Sequence, residues 1–365
     1  MSKPMESVLA SRSSASMSRV VVFRALQLGD MLCAVPALRA LRARWPHTRI
    51  TLIGLPWSRQ LASRYPRYID DVIVFPGHPG MPERAPLLDA IPAFLHAVRR
   101  RGFDLALQMH GSGRITNTIV ELLGAKERAG FHSPSARPPS GGTFIPWPAS
   151  GYEAQRLLSL VDALGIARCG DWLEFPLRDD DMAELHALAR AGGWELAPAE
   201  YVCIHPGARH AVKRWAPERF AAVGDALADQ GLQVVLTGTS AEAPLTRAVA
   251  GAMRNRAIDA AGPMSLGALA ALIRDARLVV CNDTGVSHLA AALRVPSVVV
   301  FLSADPDRWA PPDSERHRAL YDPASCVAHA DDARVAGRPC SDGITPEDVL
   351  REIECLPQPE CAHAA

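Results

Sequence analysis

Short runs of β-branched and aliphatic residues alternate with longer amphipathic stretches along most of this chain. Such alternation is typical of βαβ units, in which parallel strands are joined by helices that cover the sheet. The pattern therefore predicts an α/β protein built on parallel sheets. With 365 residues, the chain is long enough for two domains, each burying its own core.

The first half carries one set of alternating elements. The predicted strands are Val20–Arg24, Ile50–Gly54, Asp71–Phe75 and Leu105–Met109. The predicted helices are Met31–Arg44, Pro86–Arg101, Ile115–Leu123, Glu153–Leu164 and Asp179–Ala191. Residues 132–151 are rich in Pro, Gly and Ser, so they are predicted to form a loop.

The periodicity breaks at residues 192–198 and then starts again, which predicts a linker followed by a second Rossmann-like unit. The predicted strands there are Tyr201–His205, Gln233–Thr237, Ala257–Asp259, Leu278–Asn282 and Ser297–Leu302. The predicted helices are Pro217–Gln230, Ala241–Met253, Leu266–Asp275, Val286–Leu293 and, after an irregular stretch that begins at Asp305, Pro346–Glu354. The predicted organisation is a disordered leader at 1–18, domains at 19–194 and 195–345, and a helix and tail at 346–365.

Charge and hydropathy exclude several classes of protein. Lys plus Arg and Asp plus Glu number 39 each, so the net charge does not favour nucleic acid as a partner. The apolar runs are far shorter than the roughly 20 residues that a spanning helix needs. The leader lacks the apolar centre of a secretory signal, so we expect a cytoplasmic protein.

Eight cysteines raise the question of a metal or disulfide site. Four of them, Cys326, Cys340, Cys355 and Cys361, lie in the last part of the chain. None has the Cys-x-x-Cys spacing of a zinc knuckle, and a cytoplasmic chain meets a reducing environment. Reduced thiols are the expectation, with a tail metal site or redox pair as the alternative.

The first candidate for chemistry is Gly29-Asp30, where the first predicted strand gives way to a helix. Ligands of open α/β sheets collect at the carboxyl ends of strands, and a helix N-terminus favours the ionised carboxylate that a general base requires. The alternative is that Asp30 only caps the helix, which this segment alone favours.

A second candidate follows the first strand of the second unit, at His205-Pro206-Gly207 and Lys213-Arg214-Trp215. A glycine turn with free N–H groups, together with a lysine, suits a pyrophosphate. Gly207 and Lys213 are the predicted contacts. An ordinary loop with solvated basic residues is an equal alternative.

The third candidate is Asp283-Thr284-Gly285 with Ser287-His288, at the start of a helix. Free N–H groups, a hydroxyl and the helix dipole form an anion site, and Asp283 can accept hydrogen bonds from sugar hydroxyls. The alternative is a helix cap at Asp283 or Thr284 with a buried core histidine. The number of polar groups at one strand end favours a functional site.

Two weaker features remain. Met264, before a helix of the second unit, is a candidate for an apolar nucleobase slot, although packing is the more common use. Gly111 and Ser112 end a strand of the first unit and are candidates for acceptor contacts. No Gly-x-Gly-x-x-Gly, Walker or Gly-x-Ser-x-Gly motif is present, which disfavours dehydrogenases, kinases and hydrolases.

In order along the chain, these segments resemble glycosyltransferase family 9, the heptosyltransferases of lipopolysaccharide core assembly. The resemblance covers most of residues 19–310, and Asp283-Thr284-Gly285-Val286-Ser287-His288 is its most specific part. It implies a GT-B fold, in which two Rossmann-like domains face each other across a cleft. It also implies an ADP-heptose donor in the C-terminal domain and a lipid-linked saccharide acceptor against the N-terminal one.

The resemblance assigns roles to matching residues. Asp30 matches the family's base in an inverting transfer, with Gly29 near the acceptor. Lys213 matches its phosphate-binding lysine, and Asp283–Gly285 its donor turn, with His288 nearby. Positive groups at the diphosphate stabilise the leaving group, so no essential metal or cofactor is expected.

The chain departs from the family pattern at two places, which bear on substrate more than on fold. Leu302-Ser303-Ala304-Asp305-Pro306 stands where Gly-Pro-Thr is frequent, and Tyr152-Glu153 where His-Glu is frequent. The alternatives are therefore a different GT-B transferase or epimerase, or a sugar-nucleotide-binding module without turnover.

Transient association with a membrane surface is also expected. Arg99, Arg100 and Arg101 are candidates for meeting an anionic acceptor, against the more common solvated helix end.

Overall fold

The computed structural model describes residues 17–322 and 343–357. Nearly all of the predicted disordered leader, at 1–18, lies outside these residues, and so do Cys326, Cys340 and Cys361. The chain divides between Trp172 and Leu173 into two compact units. The helix Asp179–Gly192, which the sequence prediction assigns to the N-terminal domain, lies in the second unit.

The first unit is built on a six-stranded sheet in which every neighbouring pair of strands is parallel. Its strands are β1 (Arg19–Phe23), β2 (Arg49–Gly54), β3 (Asp71–Val74), β4 (Leu105–Gln108), β5 (Glu127–His132) and β6 (Thr143–Pro146). Its helices are α1 (Leu28–Arg44), α2 (Ser58–Ala62), α3 (Ile91–Arg99), α4 (Thr116–Leu122) and α5 (Glu153–Ala163). The strand order is β3-β2-β1-β4-β5-β6.

The second unit repeats this plan with a second six-stranded parallel sheet. Its strands are β7 (Tyr201–His205), β8 (Gln233–Leu236), β9 (Ala257–Asp259), β10 (Leu278–Asn282), β11 (Ser297–Phe301) and β12 (His317–Tyr321). Its helices are α6 (Asp179–Gly192), α7 (Pro217–Asp229), α8 (Ala243–Ala252), α9 (Leu266–Arg274), α10 (Gly285–Ala292), α11 (Pro306–Trp309) and α12 (Pro346–Glu354). The strand order is β12-β11-β10-β7-β8-β9.

The two orders are equivalent, because β7 takes the place of β1 and β10 the place of β4. In each sheet the order of strands reverses between these two central strands, which is the arrangement of a Rossmann fold. The prediction of an α/β protein with two Rossmann-like units is therefore confirmed. Ligands of such sheets bind outside the carboxyl ends of the strands, next to the reversal.

Hydrophobic burial explains why the apolar strands are central. Val21 and Phe23 of β1 pack in one cluster with Val98 of α3 and Ile119 of α4. Since successive strand residues point to opposite faces, Val20 and Val22 lie on the other face, where α1 and α5 pack against each other. In the second unit, α7, α8 and α12 pack on one face of the sheet, with residues such as Val349 fully buried.

The structure corrects several predicted boundaries. Helix α1 begins at Leu28 rather than at Met31, and α3 is reduced to Ile91–Arg99 after one 3₁₀ turn at Leu88–Ala90. The predicted loop 132–151 contains β6, and β5 and β12 were not predicted at all. The β6 and β12 strands lie at sheet edges, where one neighbour is sufficient and a residue such as Pro146 is tolerated.

Within the described ranges, no helix has both the length and the apolar character needed to cross a membrane.

Asp104 joins the start of β1 to β4. Its Oδ2 accepts hydrogen bonds from the main-chain N–H groups of Ser18 and Arg19, at 2.8 and 2.9 Å, and its Oδ1 accepts from Lys126 Nζ at 2.8 Å. Partial burial of the carboxyl opposes ionisation, but these hydrogen bonds outweigh it and hold the pKa of Asp104 well below its usual range.

We predict that Asp104→Asn lowers the free energy of unfolding by about 2 kcal/mol at pH 7 and by less at pH 3. A carboxyl whose folded-state pKa is lowered stabilises the fold above its ordinary pKa of about 4, and this contribution is lost as the pH falls towards the folded value. Urea unfolding of the parent protein and the variant at both pH values measures the change in the free energy of unfolding. Asp162→Asn, which removes an exposed ion pair with Arg168, is the control. An equal loss for Asp104→Asn at both pH values contradicts the prediction.

Candidate functional site

The loops that follow β1 and β4 in the first unit, and β7 and β10 in the second, carry most of the predicted site residues. Asp30 follows β1, Gly111 and Ser112 follow β4, Lys213 follows β7, and Asp283 follows β10. All of them therefore lie at the carboxyl ends of central strands.

Asp30 lies in the first turn of α1 beside a buried arginine. Arg24 follows β1 directly, and its Nη2 lies 3.8 Å from Asp30 Oδ1 and 3.2 Å from Glu153 Oε1. Its Nε donates to the main-chain oxygen of Asp30 at 2.9 Å. The Arg24 and Glu153 side chains are 0% and 1% exposed, whereas that of Asp30 is 21% exposed. The guanidinium thus lies beside a carboxylate that solvent and ligands can reach.

Asp30 does not occupy the capping position that was the alternative interpretation. The N-cap residue of α1 is Gln27, and Asp30 stands three residues further on. Neither Arg24 nor Glu153 was predicted as part of the site. The available signals were an arginine directly after the apolar run Val20–Phe23 and the glutamate of the Tyr152-Glu153 pair.

The loop after β4 is held by the buried side chain of Gln108. Its Nε2 donates to the main-chain oxygen of His110 and to Thr116 Oγ1, both at 2.7 Å, and its Oε1 accepts from the N–H of Phe131 at 3.0 Å. Gly111, with φ of 62°, has open space where a Cβ would stand, and Ser112 is half-buried. The loop therefore presents its backbone at the carboxyl edge of the sheet.

His110 links this loop to the end of β1. The N–H of Ala25 donates to His110 Nδ1 at 3.3 Å, so in the neutral ring the proton is on Nε2. That nitrogen lies 3.5 Å from Glu83 Oε1. Because Ala25 is the neighbour of Arg24, the structure brings His110 and the Asp30 cluster to one end of the same strand.

In the second unit, Lys213 and Asp283 form an ion pair. The Asp283 side chain is 5% exposed and that of Lys213 is 28% exposed. An ammonium has three N–H donors, so a lysine paired with one carboxylate can still donate to an anion at the open side. The two residues predicted from separate segments are therefore brought together.

The first turn of α10 provides backbone donors next to this pair. Thr284 is the N-cap residue, but among the described residues its hydroxyl forms no capping hydrogen bond, so the capping alternative fails for this side chain. Gly285 is the first residue of the helix. The positive end of the helix dipole and the first N–H groups favour an anion here.

His288 lies deeper than the other predicted donor contacts. Its ring is 2% exposed and packs edge-on against Trp309, with 5.9 Å between the ring centroids. This is the environment of a buried core histidine. A direct contact between His288 and the donor remains a prediction.

Gly207 lies against the carboxylate of Glu242, which would be 2.2 Å from an added Cβ. Glu242 also accepts hydrogen bonds from the N–H and hydroxyl of Thr239, and Thr239 pairs with Gly262 as an isolated bridge. The ends of β7, β8 and β9 are thereby connected along one edge. Met264, two residues after Gly262, is half-buried on the β9 side of this edge, whereas Lys213 and Asp283 are on the β7 and β10 side.

Arg99 and Arg101 lie at the opposite edge of the first sheet. Arg101 pairs with Asp71, the first residue of β3, and its main-chain oxygen accepts from Arg19, the first residue of β1. Arg99 donates to the main-chain oxygen of Leu122 at 2.8 Å. Arg99 and Arg101 therefore lie away from Asp30, and a contact of this arginine cluster with an anionic acceptor remains a prediction.

Across the described part of the chain, no group of three or more His, Cys, Asp or Glu side chains is arranged to hold a metal ion. The described cysteines, which are Cys33, Cys169, Cys203, Cys281 and Cys355, carry free thiols. Burial raises the pKa of Cys33, Cys203 and Cys281 well above the usual range, so these thiols are protonated.

Comparison with known proteins gives a consistent result. The model of glycosyltransferase family 9 (heptosyltransferase) matches residues 91–334. Lipopolysaccharide heptosyltransferase 2 of Escherichia coli (strain K12) is 26% identical over 355 residues, covering 93% of this chain and 98% of that protein.

Two solved structures share the fold. The glycosyl transferase family 9 protein from Veillonella parvula DSM 2008 superimposes with a TM-score of 0.76 at 22% identity, covering 92% of this chain and 96% of that one. The E. coli ADP-heptose lps heptosyltransferase II superimposes with a TM-score of 0.68 at 22% identity, covering 93% and 98%. The predicted GT-B fold class is therefore confirmed.

We predict that Arg24→Met destabilises the protein by about 3–5 kcal/mol, because Glu153 then stays buried without the guanidinium that faces it. The double variant Arg24→Met/Glu153→Gln removes both charges and should recover more than half of that loss. Urea unfolding of the two variants and the parent protein measures the effect. If the losses of unfolding free energy caused by the two substitutions are additive instead, the ion pair does not contribute the stability assigned to it.

Proposed function

Since the chain belongs to glycosyltransferase family 9 and is a glycosyltransferase, we propose that it transfers a heptose, or a related sugar, from an ADP-activated donor to a lipopolysaccharide core or another lipid-linked saccharide. The observation that carries this proposal is the Lys213–Asp283 ion pair at the first turn of α10. The related protein whose structure superimposes here is described as an ADP-heptose heptosyltransferase.

The proposed donor site uses charge and backbone donors together. Lys213 and the main-chain N–H groups of Thr284 and Gly285 bind the diphosphate, and Asp283 holds the ammonium towards it. When the glycosidic bond to the donor breaks, negative charge develops on the leaving ADP, and these groups stabilise it without reorganisation. Gly207, at the turn after β7, is a further proposed donor contact, while Met264 is the proposed apolar contact for the nucleobase. We expect no essential metal in this scheme.

The proposed base is Asp30. It takes the proton of the acceptor hydroxyl as the oxygen attacks the anomeric carbon from the side opposite the leaving group, which inverts that centre. Arg24 favours the ionised form of Asp30 before the reaction, and Glu153 balances the buried guanidinium. Gly29, Gly111 and Ser112 are the proposed acceptor contacts.

A lipid-linked acceptor requires the enzyme to work at a membrane, and one exposed apolar feature supports this. Leu87 and Leu88 are 52% and 59% exposed. The N–H of Leu87 donates to the main-chain oxygen of Pro76, just after β3, so this leucine pair lies at the carboxyl edge of the first sheet, as Asp30 does. We therefore propose that the leucine pair contacts the inner face of the cytoplasmic membrane while the acceptor is bound.

The direct test is incubation of the protein with ADP-heptose and a graded series of core acceptors, followed by mass spectrometry of the acceptor. The proposal expects a mass gain of one heptose on at least one acceptor. No gain with any of them, together with thermal unfolding that ADP does not shift, would sink the proposal. ADP-dependent stabilisation without any transfer would instead favour a binding module.

We predict that Asp30→Asn lowers kcat by about 10²–10⁴-fold and leaves the dissociation constant for ADP unchanged, because only the proton acceptor is removed. Steady-state kinetics and calorimetric titration with ADP measure the two quantities. Asp162→Asn, an exposed change outside the site, is the control for the kinetics. Unaltered turnover in Asp30→Asn rules out Asp30 as the base.

We also predict that Leu87→Ser/Leu88→Ser weakens binding to phosphatidylglycerol–phosphatidylethanolamine vesicles at least about tenfold, because two apolar side chains no longer enter the lipid. Sedimentation with vesicles measures it. The matched control is Leu122→Ser, since Leu122 is 41% exposed but lies at the amino edge of the sheet, before β5. Equal binding by all three proteins contradicts the proposed membrane contact.

A further inference from the structure

Asn282, the last residue of β10, is a fully buried amide with partners on a loop of another strand. Its Oδ1 accepts from the N–H of Trp215 at 2.9 Å. Its Nδ2 donates to the main-chain oxygen of Pro206 at 2.8 Å and lies 3.4 Å from that of Gly207. A main-chain N–H can only donate and a carbonyl can only accept, so these partners fix the orientation of the amide.

These hydrogen bonds close the loop that carries Lys213. The loop leaves β7 at Pro206 and reaches α7 at Pro217, so the amide holds both of its ends. Between them, Lys213 ends a 3₁₀ turn, and its N–H donates to the main-chain oxygen of His210 at 3.0 Å. One neutral side chain thus ties the two ends of this loop together.

The residue that follows Asn282 binds the side chain of the same loop. Asp283 pairs with the Lys213 ammonium, while Asn282 holds the backbone on either side of it. Two successive residues at the end of β10 therefore fix where the ammonium can stand. Trp215 is anchored independently, because its ring packs against Phe220 at 5.0 Å and its Nε1 donates to the main-chain oxygen of Ile344 at 3.1 Å.

We propose that Asn282 is a positioning residue of the donor site: it acts through Lys213, by holding the 206–215 loop in the conformation that binds the diphosphate. The inference rests on the proposed function, since it takes Lys213 as the diphosphate contact. It assigns Asn282 no contact with the substrate. The inference also predicts that a looser loop weakens donor binding far more than it changes the KM for the acceptor.

The first unit offers a matched control. Gln108 is the last residue of β4, the strand equivalent to β10, and its amide holds the loop that bears Gly111 and Ser112. Asn282→Leu and Gln108→Met replace each amide with an apolar side chain of similar shape. Both changes leave buried backbone groups without partners, so both should reduce stability to a similar degree.

The first measurement is hydrogen exchange of the ligand-free proteins, well below their unfolding temperatures. Asn282→Leu should accelerate exchange in residues 206–215 at least about tenfold, and Gln108→Met should leave that segment unchanged. The second is calorimetric titration with ADP, where Asn282→Leu should raise the dissociation constant about tenfold and Gln108→Met should not. In steady-state kinetics the donor KM should rise in Asn282→Leu and the acceptor KM in Gln108→Met.

A double-mutant cycle tests whether Asn282 acts through Lys213. In the Lys213→Ala background, Asn282→Leu should raise the dissociation constant for ADP by less than about twofold more, because the group that it positions is already gone. Additive effects, or unchanged exchange in residues 206–215, would overturn the inference. If the loop loosens as expected but the parent protein itself binds no ADP, the positioning of the loop stands and the proposed donor is wrong.

Discussion

The reversal of strand order at the centre of each sheet is the constraint on which the candidate site depends. Because β1 and β4, like β7 and β10, are neighbours whose connections run to opposite faces, the loops at their carboxyl ends separate and leave room for a ligand. Asp30 and Gly111 lie at the first reversal, and Lys213 and Asp283 at the second. Sequence segments far apart in the chain become neighbours only because parallel strands place their ends at one edge.

Each unit holds an ion pair at the carboxyl edge of its sheet, Arg24–Glu153 in the first and Lys213–Asp283 in the second. The two pairs differ in how far they are buried. The Arg24–Glu153 pair is almost entirely inaccessible to solvent, so burying its two charges costs much desolvation free energy. Apolar residues of similar size at both positions would therefore preserve the stability of the fold. Its value in the proposed reaction is the guanidinium that faces the partly exposed Asp30. In the second unit the cation is the accessible partner, as a group that binds an anionic ligand must be.

The sequence was sufficient for the central strands and for most of the proposed site, and the physical reason is the same for both. Strands buried on both faces are continuous apolar runs, and the polar residues that end them stand out, as Asp283 does after Leu278–Asn282. The edge strands β6 and β12 and the interior strand β5 gave no such signal, because these partly exposed strands carry mixed or small residues. Arg24 and Glu153 were missed because their pairing joins residues 129 positions apart.

The two amides show why the groups that hold a site are harder to find than the groups that bind. Asn282 and Gln108 each use a donor and an acceptor at once, so one side chain satisfies backbone groups of both polarities without adding charge. A carboxylate at Asn282 would repel the carbonyl of Pro206 and, in the proposed donor site, the diphosphate as well. In the proposed donor site, a neutral amide therefore holds the loop while the electrostatic field is determined by Lys213, Asp283 and the N-terminal end of α10.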